Sequence, residues 1–311
     1  MIEIIKYESS RSNEWDDFIC NSRIDSFIFF RDFMDYHSHK FADFSLMIYK
    51  KGKLDAVIPG NIDNNIFYSH QGLTYGGLIT SLHSKTIDVI NYFNSINIFL
   101  KKKGLKQVIY KSIPYIYHKL PSQEDVYALF RLNSQKIGCN ISSTIYQNNK
   151  LPFTELRKRG FKKAKVNNVE IIKTTDFTDF WTVLEDNLIA NHEVKPVHTI
   201  NEITFLHEKF PHNIVGYTCM LDSKVIAGCV LFIMKNVVHV QYISANEKGK
   251  EIGALDLLFE NLINEKYNHK DFFDFGQSTE QMGAVLNENL IFQKEGFGAR
   301  GVCYDTYKYD I

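Results

Sequence analysis

Short apolar runs broken by turn residues occur twice along this chain, in the same order. The first set comprises Ser45–Tyr49, the turn Lys51-Gly52-Lys53, Leu54–Pro59, a turn at Asp63–Asn65 and Ile66–His70. The glycine-rich Gly72–Gly77 follows, then an amphipathic stretch from Lys85 to Leu100 and the apolar Val108-Ile109-Tyr110. The second set comprises Ile214–Met220, the turn Asp222-Ser223, Val225–Met234, the turn Lys235-Asn236 and Val237–Ser244. It continues with Gly249–Gly253, an amphipathic Ile252–Leu262 and Phe272–Phe275. Short apolar runs between turn residues predict strands, and apolar residues three and four apart predict helices. Each half therefore reads strand, strand, strand, glycine loop, helix, strand. The repetition predicts an α+β protein of two like units, 1–148 and 149–311, each with a mostly antiparallel central sheet flanked by helices.

Helical spacing also predicts short helices over Trp15–Ile19, Phe29–His37 and Asp125–Leu132. The polar Gln147–Lys150 reads as a linker, and Pro152 and Gly160 bracket a small helix. Asp176 caps a longer helix with Trp181, Leu184 and Leu188 on one face, and Asn201–Phe210 gives another, stopped by Pro211. Gly301–Tyr309 is expected to be a final strand.

At 311 residues the chain is long enough for two cores, and its 24 Phe and 17 Tyr argue for a packed globule. Lysine plus arginine equals aspartate plus glutamate, 36 each, so no general attraction to nucleic acid or an anionic membrane is expected, although a local basic groove stays open. Cys20, Cys139, Cys219, Cys229 and Cys303 are scattered, with no CxxC pair. They read as reduced thiols, not as a disulfide frame or zinc site, and no metal is expected. The N-terminus lacks a signal-peptide pattern, and no apolar run approaches the roughly 20 residues of a spanning helix. A cytoplasmic protein is expected; composition leaves its oligomeric state open.

Several positions carry candidate chemistry. A glycine loop opening a helix exposes backbone N–H groups that can hold phosphate. Ser244, Lys248, Gly249, Lys250, Gly253 and Ala254 are candidates for such a site, with the helix starting near Ile252. A plain strand-to-helix turn would look the same. The first loop, His70, Gln71, Tyr75, Gly76 and Gly77, offers polar side chains to a sugar, nucleotide or peptide. His192, Glu193, Lys195 and His198 form the densest polar cluster, and Pro196 places it on a loop. His192 does not begin an HExxH zinc motif, because Pro196 stands where the second His would be. His239 alternates onto one face of a strand with Gln241, where a half-exposed sheet histidine is the plain alternative to a base. Asp274 and Ser278 flank Gly276 at the end of a strand, and Glu280 follows; these could orient an amine or a sugar hydroxyl. Lys294 and Phe297 are candidates for phosphate and adenine contacts.

The segments Phe273-Asp-Phe-Gly276-Gln-Ser278 and Ile291-Phe-Gln-Lys294-Glu-Gly-Phe297-Gly298 resemble the "DFG-x-S … F-x-K-x-x-F-G" ending of FemAB-like and BioF2-like GNAT acyltransferases, in which two GNAT-type units sit in tandem. Asn191–Thr199, Phe30–His37 and Ser69–Gly77 resemble bacterial members linked to surface-polysaccharide synthesis, which adds Arg31 and Tyr36 to the acceptor side. The usual Gln/Arg-x-x-Gly-x-Gly/Ala pyrophosphate loop is only partly matched by Glu247–Ala254. The resemblance implies acyl transfer from acetyl-CoA or another acyl-CoA to the amine of an amino sugar or nucleotide-linked amino sugar. A strand that parts from its neighbour would offer a backbone N–H to the thioester carbonyl. His192, His198 or His239 would be the base, and Tyr304 the acid toward the leaving thiolate. Two alternatives stay open: a FemAB-type transferase that uses aminoacyl-tRNA on a cell-wall precursor, and a non-catalytic pair of units that only binds.

Overall fold

The computed structural model describes residues 2–192 and 195–311, and of residues 190–192 only the backbone. The chain divides into two compact units. The first comprises Met1–Ile141, Thr279–Val285 and Cys303–Ile311, and the second Ser142–Ser278 and Leu286–Val302. The chain therefore returns to its first unit twice.

The first unit opens with β1 (Ile2–Lys6), α1 (Ser12–Cys20) and α2 (Arg31–Met34). Next come β2 (Leu46–Lys50), β3 (Lys53–Ile58), β4 (Asn61–Asp63), β5 (Ile66–Tyr68) and β6 (Ile79–Thr80). It goes on through α3 (Thr86–Lys102), β7 (Gln107–Lys111), α4 (Glu124–Arg131) and β8 (Gln135–Tyr146), which passes into the second unit after Ile141. Lys51 and Gly52, both at positive φ, make the tight turn that pairs β2 with β3. The first three runs do not form one meander. Their sheet runs β1-β2-β3-β6, whereas β5 pairs with β4 and, in parallel, with β7. The chain leaves β3 at Pro59, which has no N–H for a ladder. Gly60 then runs so close to the Phe67 ring that a Cβ would stand 2.4 Å from it. Val89, Tyr92, Phe93, Ile96 and Leu100 line one face of α3 and close the core over Leu46, Ile48, Ala56 and Ile58.

The second unit contains α5 (Glu155–Val166), β9 (Glu170–Thr174), α6 (Thr178–His192) and α7 (Ile200–Lys209). Its meander is β10 (Ile214–Leu221), β11 (Lys224–Ile233) and β12 (Val237–Ala245), with the tight turn at Asp222-Ser223 in the same positive-φ conformation. There follow α8 (Glu247–Ile252), α9 (Ala254–Asn261) and β13 (Phe272–Gln277). A ribbon of β14 (Thr279–Glu280) and β15 (Val285–Leu286), α10 (Glu288–Glu295) and β16 (Arg300–Asp310) complete the chain. The sheet order here is β8-β13-β12-β11-β10-β9, antiparallel except for the parallel pair β12/β13. The expected linker is a short turn anchored by buried Gln147, whose side-chain amide donates to the Ile263 carbonyl at 3.0 Å, while 148–150 are exposed.

The glycine loop is also more ordered than its sequence suggested. A helix starts at Glu247, not near Ile252, because the Asn246 side chain caps it by accepting from the Gly249 N–H at 2.9 Å. Gly253, at φ 79°, then breaks the path between α8 and α9.

Candidate active site

The parallel ladder between β12 and β13 has three rungs, Val237↔Phe272, Val238↔Phe273 and His239↔Asp274, and stops there. Both strands are irregular just beyond the last rung. On β12 the register to β11 shifts between Val230 and Leu231, leaving Gln241 as the extra residue. On β13 the register to β8 shifts between Asp274 and Gln277, with Gly276 at φ 73° inside the irregularity. An extra residue bends a strand and withdraws its backbone from the ladder. The two strands therefore part immediately beyond His239 and Asp274.

Those two side chains are bonded. His239 Nδ1 donates to Asp274 Oδ2 at 2.7 Å. The other carboxylate oxygen accepts from Ser142 Oγ at 2.5 Å and from Thr144 Oγ1 at 2.7 Å, both on β8. Asp274 is wholly buried. Burial alone would push its pKa up, but the His239 contact and the two hydroxyls outweigh that and hold it at about 2. An ionised Asp274 fixes the imidazole proton on Nδ1, so in the neutral ring Nε2 carries the lone pair. That nitrogen lies 3.8 Å from where a Cβ on residue 276 would stand, so the glycine leaves room at the ring.

A buried lysine holds the bend. Lys294 Nζ donates to the carbonyls of Gly276 at 2.9 Å and Gln277 at 2.8 Å. Burial lowers its pKa to about 8, against a raising effect from Asp274. Next along the chain, the Ser278 hydroxyl is buried with no hydrogen-bond partner among the described residues.

Other expected residues of the second unit lie elsewhere. His198 is buried, with its backbone N–H donating to the Tyr242 hydroxyl, which in turn reaches His198 Nδ1 at 2.5 Å. Burial raises Tyr242 to about 12. Lys195 is exposed, whereas the side chain of His192 and all of Glu193 lie outside the described residues. Ser244 is buried and donates to the Val183 carbonyl. Lys248 and Lys250 pair with Glu251 and Glu247 on the surface of α8. A Cβ on Gly249 would stand 2.3 Å from the Ile226 carbonyl, and one on Gly253 would stand 2.5 Å from that of Gly160. Close backbone packing thus calls for glycine at both positions. Ala254 is buried, and Phe297 stacks on Phe275 with centroids 5.4 Å apart.

In the first unit, Arg31 is buried over the Tyr7 ring at 3.8 Å and pairs with Asp43 at 2.6 Å and with Asp35. Tyr36 is half-buried against His37. His70 is buried at φ 68°, and burial followed by His37 lowers its pKa to about 3. Gln71 exchanges hydrogen bonds with Asn61 at 2.6 and 2.8 Å. Tyr75 bonds to Ser26 and stacks on Tyr117, while Gly76 and Gly77 pass close to the Ser69 carbonyl and the Tyr110 hydroxyl. Lys111, unforeseen from sequence, gathers the loop by donating to the carbonyls of Leu73, Gln71 and His70. Tyr304 is buried, with its hydroxyl 3.1 Å from that of Tyr117, and Glu280 is exposed.

No protein-family model matches the sequence, and no curated protein matches it significantly. Solved structures do match. FemX superposes with a TM-score of 0.71 at 8% identity, covering 99% of this chain and 97% of that one. The C-terminal domain of a putative lysylphosphatidylglycerol synthetase from Agrobacterium fabrum gives 0.60 at 10% identity, covering 96% and 91%. A tandem GNAT protein from the clavulanic acid biosynthesis pathway gives 0.51 at 7% identity, covering 100% and 98%. At such identities the likeness concerns the fold. The chain has a FemAB-like fold, an α+β tandem of GNAT-type units.

Proposed function

We propose that the protein is an acyltransferase whose reaction centre is the parting of β12 and β13, with His239 as general base. The observation that carries this reading is the Asp274–His239 pair at the last rung of the parallel ladder. An amine acceptor arrives largely as ammonium and has no lone pair until a proton is removed. His239 Nε2 takes that proton, and the imidazolium is stabilised by Asp274 through Nδ1. The amine nitrogen attacks the acyl carbonyl, and the oxyanion that forms is met by backbone N–H groups withdrawn from the ladder around Gln241. Collapse of the tetrahedral intermediate expels the donor's leaving group, which takes up a proton. Asp274 positions the base and does not touch substrate. Lys294 and Gly276 hold the bend that leaves space beside the ring.

The donor of this reading is acetyl-CoA or another acyl-CoA, and the acceptor an amino sugar or nucleotide-linked amino sugar. Fit to the pyrophosphate is partial: the Gly249 and Lys250 N–H groups are bonded to Asn246, so no step is routed through them. A second reading, aminoacyl-tRNA as donor, draws support from α5. Within twelve residues that helix carries Arg157, Lys158, Arg159, Lys162, Lys163 and Lys165 against the single acid Glu155, a local polycation in a chain of zero net charge.

Thermal-shift titrations with acetyl-CoA, and separately with a non-hydrolysable aminoacyl-RNA minihelix, test both readings. Saturable stabilisation by acetyl-CoA supports the first. Stabilisation by the minihelix that weakens on charge reversal of Lys162 and Lys165 supports the second. Stabilisation by neither, in a folded sample, overturns the transferase reading and leaves a binding module.

A further inference from the structure

The first unit carries a second chemical cluster, far in character from the His–Asp pair. Cys303 and Asp305 are two apart on β16 and so share a face of that strand. Cys139 lies on β8, the neighbouring strand in the sheet order. One ligand atom from each of the three, two sulfurs and a carboxylate oxygen, lie within 4.8 Å of one another. Both cysteines are free thiols, Cys303 exposed and Cys139 half-buried. On one side Asp305 Oδ2 is held by Lys136 at 2.7 Å and by the Tyr307 hydroxyl at 3.1 Å. On the other side Oδ1 is buried and, among the described residues, receives no N–H or O–H donor. The Cys139 thiol hydrogen-bonds within the cluster, to Asp305 and Cys303, so the two sulfurs and the carboxylate already converge on one point.

The backbone supports the same place. Gln281, Met282 and Gly283 all have positive φ. This segment presses onto β8 so closely that a Cβ on Gly283 would stand 2.0 Å from the Cys139 carbonyl. The Gln281–Gly283 segment therefore packs directly on the Cys139 backbone.

We propose that Cys139, Cys303 and Asp305 bind a thiophilic divalent cation of the Zn2+ type, with a fourth position left to solvent. Tetrahedral zinc with bonds of about 2.3 Å to sulfur and 2.1 Å to oxygen sets its ligand atoms about 3.6 Å apart. From separations of up to 4.8 Å the cluster needs a closure of about 1.2 Å at most, within reach of side-chain rotation. Binding forms two metal–sulfur bonds and one metal–oxygen bond, and the two thiol protons leave to solvent. No oxidant takes part. Lys136 offsets the net negative charge of a site made of two thiolates and a carboxylate on a dication.

The test is titration of the full-length protein with Co2+ under a non-thiol reductant, read by absorption, followed by displacement with Zn2+. A stoichiometric thiolate-to-cobalt charge-transfer band is expected, erased by one equivalent of Zn2+. Cys139→Ser and Cys303→Ser should each abolish the band, Asp305→Asn should weaken binding, and Cys20→Ser should change nothing. Exposed Cys303 is the variant that keeps its fold, checked by circular dichroism. No band from reduced, folded protein, a band unchanged in Cys303→Ser, or affinity unchanged in Asp305→Asn overturns the site.

Discussion

His239 and Asp274 face each other on the last rung of a parallel ladder, and the 2.7 Å bond between them decides which imidazole nitrogen holds the proton. Replacing His239 by Ala or Gln should lower turnover by about 10²–10⁴-fold, the usual worth of a general base. Donor binding should hold. Steady-state kinetics with a responsive amine check this as a fall in kcat at near-constant donor KM. A loss confined to KM would assign His239 to binding.

Asp274 makes a prediction that needs no substrate. Its folded pKa of about 2 lies below the usual value of about 3.9 for an unfolded aspartate. A depressed carboxylate stabilises the fold fully above about pH 4, and that contribution is lost as pH falls through 2. The size is on the order of 2 kcal/mol. Urea denaturation of wild type and Asp274→Asn between pH 5 and pH 2, as order-of-magnitude bounds on that window, should show a steeper acid loss in wild type. Parallel curves would remove the charge from the account.

The first unit holds a carboxylate of opposite sense. Asp125 is buried and its pKa is pushed up to about 6, although the Tyr110 hydroxyl donates to it at 2.6 Å and the Val126 N–H at 2.8 Å. The folded chain keeps this proton up to about pH 6, while the unfolded chain releases it near pH 4. Stability from this group is therefore present at low pH and falls as pH rises between those values, by on the order of 3 kcal/mol. Asp125→Asn should flatten that slope in urea titrations, and an unchanged slope would refute the assignment.

Gly160 and Gly253 let α5 and α9 approach, with Arg157 bridging to Asp256 at 2.7 Å beside them. A side chain at 253 must adopt positive φ, at about 1–2 kcal/mol, and also displace the Gly160 carbonyl. Gly253→Ala should lower the melting temperature by several degrees, about 2–4 °C per kcal/mol in domains of this size. A variant as stable as wild type would reassign this glycine from packing to ligand approach.

Much of the architecture was legible in the sequence, because runs such as Ile214–Met220 and Val225–Met234 carry both their period and their turn residues. The first meander misled, since period alone does not say which strand a run pairs with once Pro59-Gly60 has turned it aside. His239 and Asp274 were both visible as candidates, but in separate roles. Their bond depends on the register of two strands joined through α8 and α9, which packing sets. Ser142 and Thr144 went unread; the hydroxyl run Ser142-Ser143-Thr144 between Ile141 and Ile145 was the available signal. The glycines at 249 and 253 drew attention as phosphate ligands when each also meets a carbonyl of its own unit.

β7 has β16 as its partner, Lys111 through Gln107 against Thr306 through Asp310, and Tyr309 belongs to the first unit's core. During synthesis the ribosome releases β7 about two hundred residues before that partner emerges, some ten to forty seconds at ordinary translation rates. Throughout that interval the strand has an open edge, and by its end the second unit has every segment except its last few residues. The first unit to be made is thus the last to close, and a nascent chain halted short of residue 300 exposes β7 to chaperones.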